Sequence, residues 1–159
     1  MSEKTNRLLE QASELVSLDE FDEALNIYTK ILKINPDNIG ALIDKAATLQ
    51  RIGKNSHALK LFERALKIQP TNIDGLIGMG SVLHGQKKFS DATACYDAAL
   101  KINPKYPVAL AYKGLSLGEQ GKIKDALNHF KMALAVDKDY ELAQISKKKA
   151  LELLKSKKY

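Results

Sequence analysis

The sequence predicts an all-α solenoid built from antiparallel helix pairs. Two observations carry this: Pro36, Pro70 and Pro104 stand 34 residues apart, and apolar residues recur at helical spacing twice between one proline and the next. The proline spacing fixes a register of four repeats, 5–38, 39–72, 73–106 and 107–140, followed by a capping helix over 141–156 and a frayed end at Lys157 to Tyr159. All of this is expected to form a single domain over 1–159.

The first helix of each unit is marked by three columns. Position 4 is Leu8, Leu42, Leu76 and Leu110; position 8 is Ala12, Ala46, Gly80 and Gly114; position 11 is Leu15, Leu49, Leu83 and Leu117. The second helix has alanine at position 20 (Ala24, Ala58, Ala92, Ala126) and an aromatic at position 24 (Tyr28, Phe62, Tyr96, Phe130). Position 27 holds Ile31, Ala65, Ala99 and Ala133. Small residues at 8 and 20 allow two backbones to approach, and the ring at 24 fills the space toward the neighbouring helix. A single pair cannot bury this surface, whereas stacked pairs can.

The breaks are equally regular. Polar or glycine residues separate the two helices of a pair, as in Arg51-Ile52-Gly53-Lys54 and Glu119-Gln120-Gly121-Lys122. Proline ends the second helix of the first three repeats because it lacks an N–H and restricts the residue before it, and Asn38 and Asn72 are placed to cap the helix that follows. Beyond Asp139 the columns lapse. Glu141, Gln144, Lys148, Glu152 and Lys155 still share one polar arc of a helix, leaving Ala143, Ala150, Leu151 and Leu154 to lie against the last repeat.

This pattern resembles the tetratricopeptide repeat family: aromatic or leucine at 4, small at 8, tyrosine-like at 11, alanine at 20, aromatic at 24, alanine at 27 and proline at 32. The likeness runs from Thr5 to about Tyr140. Leucine replaces the frequent tryptophan at 4 and tyrosine at 11, Ile31 replaces alanine, and Lys138 stands where a fourth proline would be. The resemblance implies a right-handed superhelix whose concave wall comes from positions 2, 5, 6, 9, 12 and 13 of the first helices. It also implies work as a non-catalytic protein-protein interaction scaffold.

On that wall the candidate ligand-binding residues are Leu9, Val16, Ile43, Asp44, Ala47, Asp74, Ile77, His84, Val108, Tyr112, Leu115 and Glu119. An exposed apolar strip marks a partner site, here a groove for a peptide or amphipathic helix, with the acids free to meet basic residues. The competing reading is that curvature buries several of these residues, or that Leu142, Ile145 and Leu153 of the capping helix cover the last unit's share. A homo-oligomer formed through the groove and the C-terminal helix is the alternative function. Some family members clamp a chaperone's C-terminal carboxylate with lysines, asparagines and an arginine. Leu9, Ser13, Asp44, Asp74 and Gly78 stand at those positions, so that mode is not expected.

Chemistry finds no footing. His57, His84 and His129 fall on different elements of the pattern, and there is no phosphate loop, metal-ligand spacing or nucleophile with a base at hand. No catalytic residue, metal or cofactor is expected. Cys95 is the one cysteine, which excludes an internal disulfide and fits a reducing cytoplasm. No apolar run of signal-peptide or membrane-spanning length occurs.

The net charge of +6 is mostly a property of the tail: from Glu141 onward six lysines oppose two glutamates, giving +4, and the rest carries +2. Anchoring to nucleic acid or acidic lipid through this tail is a further alternative. It is disfavoured because Lys147, Lys148 and Lys149 are consecutive and point three ways around a helix.

Overall fold

The computed structural model describes residues 3–156, so the frayed end expected at 157–159 lies outside the described residues. Among the described residues there are nine α-helices and no strand. They are α1 (Glu3–Ser17), α2 (Phe21–Ile34), α3 (Ile39–Arg51), α4 (Asn55–Ile68), α5 (Ile73–Gly85), α6 (Phe89–Ile102), α7 (Pro107–Glu119), α8 (Ile123–Val136) and α9 (Glu141–Ser156). None is long and apolar enough to cross a membrane. The all-α fold of helix pairs closed by a last single helix is the class the register predicts.

Caps and turns explain the boundaries. Asn38 Oδ1 accepts the Ala41 N–H at 2.9 Å and Asn72 Oδ1 accepts the Gly75 N–H at 2.9 Å, so α3 and α5 begin on side-chain caps. Tyr106 precedes α7 without such a bond, and Pro107 in the first turn supplies the start instead, since its missing N–H would have lacked a helical acceptor there.

Each first helix ends in one way. The residue at repeat position 15 is left-handed, with φ of 60° at Asp19, 78° at Gly53, 62° at Lys87 and 77° at Gly121. The next N–H donates back five residues, from Glu20 to Leu15, Lys54 to Leu49, Lys88 to Leu83 and Lys122 to Leu117. This is the Schellman closure, which satisfies an otherwise orphaned carbonyl and turns the chain into the second helix.

The chain divides into two compact units, Met1–Val82 and Leu83–Tyr159. In the first, Ala12, Ala24, Ala41, Ala46, Ala58 and Ala65 are fully buried, and Tyr28 and Phe62 fill the spaces that these small residues leave. Burying each such ring contributes about 1.5–3 kcal/mol.

In the second unit Phe130 lies so close to α7 that a Cβ on Gly114 would come within 2.6 Å of its ring. Glycine is therefore required there by the approach of α8. Against this end Ala143 and Ala150 of α9 are buried and Leu154 packs against the cluster that contains Phe130. Leu151 departs from expectation at 38% exposed, because it sits one residue, or about 100° of helix, past Ala150 and swings to the flank.

Candidate functional site

None of the twelve wall residues is fully buried, but most are shared between the wall and the core. In the N-terminal unit Leu9 and Val16 of α1 pack against the cluster around Tyr28, and Ile43 of α3 packs against the cluster around Phe62. Ala47 and Asp74 are exposed, and Ile77 is half-buried. In the C-terminal unit Val108, Tyr112 and Leu115 are half-buried and Glu119 is exposed.

Position 6 is closely tied to the preceding pair. Tyr112 meets the ring of Tyr96 edge-on, with centroids 5.9 Å apart. At the equivalent place in the N-terminal unit a Cβ on Gly78 would collide with Phe62, so this wall glycine is a packing residue. Asp44 occupies the same column opposite Tyr28, whose hydroxyl is pushed up by burial and then by the Asp44 charge, while a hydrogen bond with Thr48 works the other way.

Asp44 gives the N-terminal wall its electrostatic character. Its carboxyl is raised above the ordinary aspartate value, first by burial and then by the charge of Asp74. Neither acid forms an ion pair among the described residues. The two carboxylates thus carry like charges on the same unit with no cation paired to either among the described residues. Lys45 is engaged elsewhere: it donates to Thr29 Oγ1 at 2.8 Å, and burial pushes its ammonium down.

Polar side chains also stitch successive first helices together, a role that the residue pattern did not reveal. Gln50 Nε2 donates to Ser81 Oγ at 2.8 Å in the N-terminal unit. In the C-terminal unit His84 Nδ1 lies 2.8 Å from the Oγ of fully buried Ser116, and its ring stands edge-on to Phe89 at 5.2 Å. His84 is thus occupied structurally as well as being a wall residue. The signal was a spacing of 31 or 32 residues between a polar residue at position 12 and a hydroxyl in the next repeat.

The capping helix covers its share unevenly. Leu142 packs against the cluster of Leu110, Ala111, Ala133 and Ala143, and Leu153 lines a recess against α7 while 39% exposed. Ile145 covers nothing at 60% exposed, since its direction on α9 points well away from the buried stripe of Ala143 and Ala150. Lys147 is half-buried whereas Lys148 and Lys149 are exposed, so these lysines do not form one basic face. Cys95 is half-buried, and burial followed by the Asp91 charge pushes its thiol up, away from nucleophilic character.

A family model described as the Psidin N-terminal TPR repeats region matches residues 7–111. Among solved structures the chain is similar to MamA protein, at 22% identity over 96% of this chain and 83% of that one, with a TM-score of 0.79. It is similar to TTC0263, a thermophilic TPR protein in Thermus thermophilus, at 20% identity over 94% of this chain and 82% of that one, with a TM-score of 0.84. A third, the first TPR of Spaghetti (RPAP3) bound to HSP90 peptide SRMEEVD, is 20% identical over 73% of this chain and 92% of that one, with a TM-score of 0.70. At these identities the likeness is one of fold. No curated protein matches the chain in sequence.

Proposed function

This chain belongs to the tetratricopeptide repeat family, and from that premise we propose that it is a non-catalytic scaffold that holds a peptide or helix of a partner protein against its first helices. The observation that carries the reading is the unpaired Asp44 and Asp74 among half-exposed aliphatic side chains. Such a surface favours a segment that combines apolar residues with lysine or arginine.

The first TPR of Spaghetti (RPAP3) is bound to a peptide, which supports the general mode. That peptide, SRMEEVD, is rich in acids, and Asp44 and Asp74 would repel it. The selectivity of this chain is accordingly for the opposite charge.

The test is selection of random displayed peptides on the protein, followed by fluorescence anisotropy with the enriched sequences. Enriched peptides should carry apolar residues beside lysine or arginine, and should lose affinity for Asp74→Lys and Ala47→Arg variants of unchanged circular dichroism. No enrichment, or equal affinity for wild type and both variants, counts against the reading.

A second reading rests on α9, where Ile145, Leu151 and Leu153 are 60%, 38% and 39% exposed. Here the partner is another copy of the chain. Light scattering over a concentration series should show a dimer that an Ile145→Glu variant cannot form, and a monomer at all concentrations excludes it.

A further inference from the structure

In the C-terminal unit a recess of about 150 Å³ opens between α7, α8 and α9. Its floor is apolar and buried: Phe130, Ala126, Ala150 and Gly114. Its existence traces to Gly118. A Cβ on Gly114 would strike Phe130, so that glycine is required by packing, but a Cβ on Gly118 would meet only Ala126 Cβ at an ordinary 3.8 Å. The corresponding positions of the earlier repeats carry Val16, Gln50 and His84. The fourth leaves the space empty without any steric need.

Two charges flank this apolar recess, Glu119 from α7 and Lys149 from α9. Both are exposed, and neither forms an ion pair among the described residues, with the other or with any third group. Besides these two charges the half-buried Ser146 is the one polar side chain of the lining, so water over the apolar floor is poorly held and an apolar group displaces it favourably. Cavities of about 150 Å³ lined by leucine, isoleucine and phenylalanine take up a benzene-sized guest.

We propose that this recess receives one phenylalanine-sized side chain of a partner segment, with a basic neighbour answering Glu119 and an acidic neighbour answering Lys149. The proposal deepens the scaffold reading and rests on it, since the occupant is a stretch of protein. A free aromatic molecule would leave both charges unanswered, and a ligand of one sign would meet repulsion on one side.

The test uses the full chain labelled with ¹⁵N and three blocked tripeptides with phenylalanine at the centre: acetyl-Lys-Phe-Glu-amide, acetyl-Lys-Phe-Lys-amide and acetyl-Glu-Phe-Glu-amide. Acetyl-Lys-Ala-Glu-amide serves as the control. The mixed-charge phenylalanine peptide should shift the amide signals of Gly114, Gly118 and Ala150, and the alanine control should bind about tenfold more weakly or worse. A Glu119→Lys variant, which leaves the floor untouched, should prefer acetyl-Glu-Phe-Glu-amide.

Gly118→Leu should fill the recess and abolish these shifts. The charge variant keeps the test decisive where that chain does not fold. Equal responses to the phenylalanine and alanine peptides, or an unchanged charge preference in Glu119→Lys, overturn the proposal. Peptides selected by display that still bind Gly118→Leu would leave the scaffold reading standing while removing this recess from it.

Discussion

The ring of Phe62 occupies the space in which a side chain on Gly78 would begin. One repeat later, Tyr96 and Tyr112 stand in the same two columns and meet edge-on, 5.9 Å apart. The column that places Tyr112 and Asp44 on the wall therefore also sets how closely each first helix approaches the ring before it. Any side chain offered to a partner at this position must also fit the packing against the ring before it.

Gly78→Ala should destabilise the protein by about 1–3 kcal/mol, because Phe62 is almost fully buried and cannot swing clear of the added methyl. Phe62→Leu should cost less in the Gly78→Ala background than in the wild type, since the smaller side chain relieves the overlap. Urea unfolding of the wild type, the two single variants and the double variant gives this coupling directly, and additive costs would refute the steric account.

The left-handed residue at position 15 makes a second prediction. Gly53→Ala puts a Cβ into a backbone of φ 78° and should cost about 1 kcal/mol although nothing lies within 4 Å of it. Lys87 already bears that strain at φ 62°, so Lys87→Gly should be neutral or stabilising by under about 1 kcal/mol. Thermal midpoints of the two variants moving in the same direction would contradict this.

Much of this architecture could be read from the chain because it depends on local rules repeated at one period. Asn38 and Asn72 cap because an asparagine before a helix has a carbonyl within reach of the third N–H, and Ala24 and Ala58 are buried because two helices cross there. The wall was harder to read. Gly114 and Gly118 are the same letter four residues apart, yet one is enforced by Phe130 and the other opens a recess, a difference that exists only once α8 and α9 are in place. Ile145 and Leu151 misled for a related reason: their directions on α9 lie away from the buried stripe of Ala143 and Ala150, and which stripe is buried is set by the packing of α9 on α7 and α8 rather than by apolar character alone.

His84 and Ser116 permit a double-mutant cycle. Ser116 is fully buried, so His84→Ala leaves its hydroxyl without this partner and should cost about 1–3 kcal/mol. Ser116→Ala in the same chain should recover part of that loss, because no buried hydroxyl then remains to be satisfied. Denaturant midpoints of the two singles and the double measure the interaction, and a double variant as costly as both singles together would show that the two residues act independently.

Asp44 gives the pH dependence of the fold. Its carboxyl is held above the ordinary value of 3.8 by burial and by Asp74, so the folded chain binds this proton more tightly than the unfolded chain does. Stability associated with the site is therefore present at and below pH 3.8 and declines as pH rises through the elevated folded value, the reverse of an ion-paired aspartate. Asp44→Asn removes the charge and should be more stable than wild type at pH 7, with the advantage fading as pH falls toward 3.8. Asp74→Asn should give a smaller gain in the same direction, since it leaves the burial of Asp44 unchanged. Urea unfolding at about pH 7 and about pH 3.5 separates these cases. An Asp44→Asn chain less stable than wild type at neutral pH would mean that the ionised carboxylate already has a stabilising partner, and the wall would then have no need of a cation from outside.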